Sequence, residues 1–242
     1  IPIGKDNFGN IIRIDLNNHS TPHALVCGAT GSGKTEFLIS YIESLKLAGD
    51  TDITVLDTKR EFLRKNIKDV KLICEIEEIE EEMRNLIVEM NERTVSGINT
   101  IKAIIFDEFA DALSNSASGK ELDLYEMQEV GTYRLSASAI QNGAIPQPKM
   151  QRVKIGTHKS LEENLRVLLQ KGRSLGFRIF AATQRASTKV ITGDSKVNFP
   201  IQICFRVNKE IDSRVVLDEP GAESLCGKGD GLIKSPEYFE TI

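Results

Sequence analysis

The sequence contains no run of about eighteen apolar residues, the length a helix needs to cross a bilayer, and no stretch ordered like a secretion signal. It also lacks a surplus of positive charge: 31 Lys and Arg stand against 35 Asp and Glu, for a net charge of −4. A global positive field of the kind that draws nucleic acid to a whole domain is therefore excluded, and contact with a polyanion has to come from local loops. Cysteine is scarce, with four residues at positions 27, 74, 204 and 226 and no C-x-x-C spacing. Three of them sit in apolar runs, so the expectation is buried, reduced thiols in a cytoplasmic protein. His19 and His23 have no Cys or carboxylate at ligand spacing, which argues against a metal site there. No internal repeat is visible. The chain opens on Ile1, which admits a longer, membrane-anchored polypeptide of which this is the cytoplasmic part.

What the sequence does have is one strong motif. Gly28-Ala29-Thr30-Gly31-Ser32-Gly33-Lys34-Thr35 follows the apolar run Ala24-Leu25-Val26-Cys27 and precedes Phe37-Leu38-Ile39. This is G-x-x-x-x-G-K-[ST] in its required frame of buried strand, glycine turn and amphipathic helix. The glycines let successive backbone N–H groups turn inward around a phosphate chain at the positive end of a helix. Lys34 is expected to reach the β- and γ-phosphates and the Thr35 hydroxyl to ligate Mg²⁺. The pattern predicts a nucleoside triphosphate site, and 40% hydrophobic content supports one α/β core spanning 1–242.

Along the chain, a helix is expected over 35–48, ending at Gly49, then a strand Ile53–Asp57 with Thr58-Lys59-Arg60-Glu61 at its carboxyl end, where ligands gather in an open α/β sheet. A third strand at 70–74 leads to a helix over 76–96, whose glutamate-rich opening reads as a solvated helix start favoured by the dipole. Ala103-Ile104-Ile105-Phe106 delivers Asp107 and Glu108. Asp107 suits a Walker B role on Mg²⁺, and Glu108 suits a general base that polarises water. The pattern loosens over about 112–160, where a helix is expected at 120–135 and loop or hairpin beyond it. Another amphipathic helix covers 161–175. The strand at 177–182 ends in Thr183-Gln184-Arg185, and Gln184 becomes a γ-phosphate sensor if that strand lies between the two Walker strands. The last clear strand is 201–207, followed by a glycine-rich tail.

Seven ordered blocks together resemble the motor ATPase domain of the FtsK/SpoIIIE family: Ile1–Asp6, Gly28–Thr35, Asp107–Asp111, Ala182–Arg185, Val190–Gly193, Ile211–Arg214 and Gly221–Leu225. The resemblance covers the chain apart from an atypical insertion at about 112–160, after the Walker B strand. It implies a RecA-like P-loop NTPase fold with a mostly parallel central sheet flanked by helices. It further implies an ATP- and Mg²⁺-dependent enzyme that assembles as a homo-oligomeric ring, a hexamer, and translocates double-stranded DNA. Lys34 and Thr35 carry over as phosphate and Mg²⁺ ligands and Asp107 and Glu108 as the Walker B pair, which with the strand-tip Gln184 makes Lys34, Glu108 and Gln184 the catalytic candidates and Thr35 and Asp107 the metal ligands. Arg173 matches the arginine that reaches a neighbouring subunit's ATP. DNA-facing positions fall on Arg185, Lys196 and Arg214. A fourth basic position is Glu210 here, with Lys209 just before it, a departure that leaves open either a DNA contact shifted to Lys209 or another cargo, as in the similar ATPases of type VII protein secretion. A degenerate nucleotide-binding scaffold is the remaining alternative, against which Lys34, Asp107 and Glu108 all stand.

Overall fold

A computed structural model of the chain describes residues 1–49, 51–117, 121–133, 147–188, 191 and 193–238. A short antiparallel pair, β1 (Pro2–Lys5) and β2 (Ile11–Arg13), leads into the central sheet. That sheet comprises β3 (Ala24–Cys27), β4 (Asp52–Asp57), β5 (Lys71–Ile73), β6 (Lys102–Asp107), β9 (Phe177–Thr183), β10 (Ile201–Phe205) and β11 (Gly231–Lys234). Its spatial order is β11-β10-β3-β9-β6-β4-β5, parallel throughout except that β11 closes one edge antiparallel to β10.

Parallel strands covered on both faces need apolar residues on both faces, and β3 and β6 are buried along their whole length. The alternation sorts the two cores. Leu25, Cys27, Ile104, Phe106 and Ile179 pack with α3 (Ile76–Ser96) and α5 (Leu161–Lys171), whereas Ala24, Val26, Ile105 and Phe180 pack with α1 (Lys34–Ala48). Short helices sit at the carboxyl edge of the sheet, with α2 (Glu61–Arg64) after β4 and α4 (Phe109–Asn115) after β6. Further along come α6 (Gly193–Lys196) and α7 (Glu210–Leu217). Among the described residues, no helix is long and apolar enough to cross a membrane.

The α/β architecture and parallel order agree with the sequence reading, and β9 does lie between β3 and β6. The helix expected at 120–135 is wrong for the residues described there. Glu121–Thr132 is a strand, β7, paired antiparallel with β8 (Pro148–Lys159) in a ribbon separate from the main sheet. The register breaks between Leu124 and Tyr125, where the extra residue, 155, lies on β8, so β7 keeps its own period-2 backbone. Its apolar positions are not confined to one face, and the three-residue intervals 122–125, 124–127 and 127–130 mimic a helix. The glutamate-rich start of α3 is solvated as expected apart from Glu82, which is buried and paired with Lys71.

The start of β3 is fixed by a buried histidine. The Ile179 N–H donates to His23 Nδ1 at 3.1 Å, so Nε2 carries the proton and donates to the Leu169 carbonyl, also at 3.1 Å. Burial, reinforced by the Arg178 guanidinium, pushes the His23 pKa down to about 3. The folded ring therefore stays neutral at a pH where the unfolded ring, with its ordinary pKa near 6.5, takes a proton. A depressed folded-state value means that the contribution is intact above pH 6.5 and is lost as pH falls toward 3. At pH 5 the loss is about 2 kcal/mol. Urea midpoints at pH 7.5 and 5.0 check this: His23→Gln should show a shallower pH dependence than wild type, and equal slopes would acquit His23.

Candidate active site

Gly33 stands at φ 105°, the left-handed region that glycine enters without strain, and directly precedes α1. A Cβ there would lie 2.3 Å from the Gly229 nitrogen, and one at Gly28 would lie 2.5 Å from Ser32 Oγ. Both glycines are therefore demanded by close approach, and Gly33 by its backbone conformation as well. The loop's entry is pinned to both flanking strands: the Gly28 N–H donates to Thr183 O at 3.3 Å and the Ala29 N–H to Arg206 O at 2.9 Å. From outside, the glycine-rich tail closes on it through Gly229 N–H to Ser32 O, at 2.8 Å. Together these walls enclose a cleft of about 940 Å³, with Thr30, Lys34, Thr35 and Gln184 on its polar side and Phe37 and Phe205 on its apolar side.

β6 carries Asp107 and Glu108 to the same point. Lys34 is buried and bonded to Asp107 Oδ1, and its Nζ lies 3.2 Å from Glu108 Oε1. Burial pushes the Asp107 carboxyl up, with the Lys34 ammonium opposing it, while Lys34 itself is held above the usual lysine value against burial by Asp107 and Glu108. Glu108 has no exposed surface and adopts φ 52°, ψ 43°, rare for a residue with a side chain and costing on the order of 1–3 kcal/mol. Its carbonyl accepts the Asp111 and Ala112 N–H groups at the start of α4. Its carboxylate Oε2 accepts the Gln184 N–H at 3.1 Å, so the strained turn aims it across β9 toward the phosphate loop. Gln184 in turn accepts the Thr30 hydroxyl at 3.0 Å.

The structure therefore brings Thr30, Lys34, Thr35, Asp107, Glu108 and Gln184 together. It adds two residues that sequence reasoning placed only at a sheet edge. Glu61 accepts the Thr35 hydroxyl at 2.7 Å, and Lys59 Nζ lies 3.3 Å from Glu108 Oε1. The signal was their position at the carboxyl end of β4, one strand from the Walker B strand. Buried polar atoms without a protein partner mark what the site accepts. Ser32 Oγ and Asp107 Oδ2 are among them, and with the Thr35 hydroxyl they are oxygen donors of the kind that a hard divalent cation and a phosphate take.

Arg173 is not in this cleft. It is exposed in a 3₁₀ turn (Gly172–Leu175) that precedes β9, at the opposite end of the sheet from the phosphate loop. The turn is held firmly, because the buried Arg178 donates to the Arg173 carbonyl at 2.9 Å and to the Leu16 carbonyl at 2.5 Å. The candidate polyanion contacts differ among themselves. Arg185 is 71% exposed, just past β9, with Nε 3.6 Å from Asp111 Oδ1. Lys209 is exposed at the start of α7. Arg214 is exposed but paired with Glu210 at 2.7 Å. The Lys196 side chain is 12% exposed, and its Nζ bonds Asp218 at 2.7 Å and the Val215 carbonyl at 3.1 Å.

Comparison with known proteins places this geometry. The chain is 34% identical over 248 residues to the DNA translocase FtsK of Leptospira interrogans serogroup Icterohaemorrhagiae, covering all of this chain but 24% of that protein. It spans about a quarter of that relative's length. Among solved structures, the pCW3 conjugation coupling protein TcpA, a monomer with ATPgS, superposes with a TM-score of 0.71 at 24% identity, covering 100% of this chain and 64% of that one. The cytoplasmic domain of the type VII secretion ATPase EccC of Thermomonospora curvata gives 0.71 at 20% identity, over 100% and 27%. These neighbours share the fold described above, a mostly parallel central sheet flanked by helices. With a profile of the FtsK/SpoIIIE family matching residues 1–188, the chain belongs to the FtsK/SpoIIIE family.

Proposed function

We propose that residues 1–242 form a single ATPase domain, with the β7–β8 ribbon as its insertion, and that it is the motor core of a double-stranded DNA translocase working as a homo-oligomeric ring, a hexamer. The observation that carries this reading is the buried cluster of Lys34, Asp107 and Glu108, with the Gln184 amide on the second Glu108 oxygen. In it a phosphate-binding cation, a cation-binding carboxylate and a base stand on adjacent elements of one cleft.

In the proposed reaction the backbone of Gly28–Thr35 and the Lys34 ammonium hold the triphosphate, and Lys34 exchanges its carboxylate partners for phosphate oxygens. Thr35 and Asp107 would hold Mg²⁺, which supplies charge neutralisation at the phosphate oxygens. Glu108, freed of Lys34, accepts a hydrogen bond from the attacking water, and its fixed backbone keeps it aimed. Gln184 reports the state of the phosphate end to the loop that carries Arg185. Arg173 projects from the far edge of the sheet, where it serves a neighbour's cleft and not its own. Arg185, Lys209 and Arg214 are the proposed backbone contacts to DNA, which position without reading sequence. Lys196 joins them only if it leaves Asp218.

ATP turnover with and without duplex DNA tests the reading. Stimulation should appear at low salt and fade as salt rises, because phosphate contacts release counterions. A turnover that ignores DNA but responds to a polypeptide cargo favours protein secretion, the second reading, which the neutralisation of Arg214 by Glu210 supports.

A further inference from the structure

Four charged side chains from three separate segments form one line from the core to solvent. Glu108 has no exposed surface, and Lys59 Nζ lies 3.3 Å from its Oε1. The same Nζ is 3.8 Å from Asp111 Oδ2, and Asp111 Oδ1 is 3.6 Å from Arg185 Nε. The line runs from the fully buried Glu108, at 0% side-chain exposure, through the half-buried Lys59 and Asp111, at 33% and 24%, to Arg185 at 71%. The signs alternate, so moving one member changes the partner available to the next. Lys59 sits between two carboxylates and is shared by them, and Asp111 sits between two cations. A second link joins the same ends, since the residue before Arg185 holds the other Glu108 oxygen through its backbone N–H.

We propose that Lys59 is a positioning residue that restrains the general base, and that Asp111 couples this restraint to whether Arg185 is engaged by a polyanion. This rests on the reading of Glu108 as the base. With Arg185 at Asp111, the carboxylate is partly neutralised and Lys59 stays on Glu108, competing with water for Oε1. When a phosphate takes Arg185, Asp111 loses that partner and draws Lys59 toward itself. With Lys34, which also lies 3.2 Å from Glu108 Oε1, drawn onto the bound phosphates, that oxygen is then open to the attacking water. The device makes cargo binding a condition of rapid turnover through charge alone, with no large backbone movement.

The test is steady-state ATPase of the assembled protein, with kcat and KM resolved separately, with and without saturating duplex DNA, alongside DNA binding measured directly. Arg185→Ala should raise the DNA-free kcat about twofold to fivefold, the scale of one partly exposed ion pair, with KM for ATP unchanged. A residue that only contacts DNA would leave that rate alone. Lys59→Met should raise it similarly, and Lys59→Arg should restore the low rate. Asp111→Asn should still bind DNA but lose stimulation. A DNA-free kcat at or below wild type in both Arg185→Ala and Lys59→Met overturns the relay, even where wild type responds strongly to DNA. If wild type ignores DNA yet these variants are faster, the relay stands and the identity of the cargo is what fails.

Discussion

Glutamine in place of Glu108 is expected to reduce ATP turnover by at least about a hundredfold, the lower range of what a positioned general base contributes, while nucleotide binding survives. The separation of the two effects follows from the geometry. Glutamine keeps an oxygen for the Gln184 N–H that Glu108 Oε2 accepts at 3.1 Å, and it keeps the carbonyl that starts α4. What it lacks is a basic second oxygen. Lys34 retains Asp107 as its partner, so the phosphate loop should remain poised. Lys34→Ala is the contrasting variant, and it should lose binding together with turnover because it removes the cation aimed into the cleft and leaves the buried Asp107 unpaired. Single-turnover hydrolysis beside fluorescent-nucleotide titration distinguishes the two. Near-normal hydrolysis by Glu108→Gln would move the base to another residue.

Alanine at Arg173 should leave each protomer able to bind ATP and yet lower turnover of the assembly by about a thousandfold, the scale of an arginine that neutralises a transferring phosphoryl group in related systems. The side chain is exposed at the edge of the sheet opposite the phosphate loop, so a role in hydrolysis requires a second copy. Mixing makes the point decisive. Arg173→Ala and Glu108→Gln are each expected to be inactive alone, but a mixed assembly contains clefts with an intact Glu108 facing an intact Arg173, and activity should return. Recovery on mixing identifies a shared cleft. Mixtures as inactive as their components would show that Arg173 acts within its own chain or not at all. The rigidity of its turn, fixed by Arg178 to the Arg173 and Leu16 carbonyls, suits a group that must be presented without reorganising.

The phosphate loop and the Walker B strand were legible because each couples an apolar run to a fixed chemical signature at its end, and in a parallel sheet both ends fall on one edge. The place of β9 between them was legible only conditionally, since strand order is a property of long-range pairing and not of the segments themselves. Lys59 and Glu61 were visible as polar residues at a strand end, but no local pattern distinguishes a lysine facing solvent from one facing a carboxylate of another strand. Their partners are 49 and 26 residues away in sequence. The β7 strand was not legible because its apolar residues recur at three-residue intervals, 122–125, 124–127 and 127–130, which resemble helical spacing. Glu82 escaped for a similar reason, as the other glutamates of that run are not buried and it is the proximity of Lys71 that makes its burial tolerable.

The tail that lies over the phosphate loop has a consequence for synthesis on the ribosome. The loop is translated well before β9 and β10, which flank its strand, and before Gly229, which bonds Ser32. Until those elements emerge, a nascent chain carries this glycine-rich segment beside an uncovered apolar strand. Such distant pairings form slowly and leave strand edges open to wrong partners. Chaperone dependence should accordingly be greatest for ribosome-stalled chains that stop short of β10 and should drop sharply once Gly229 has emerged.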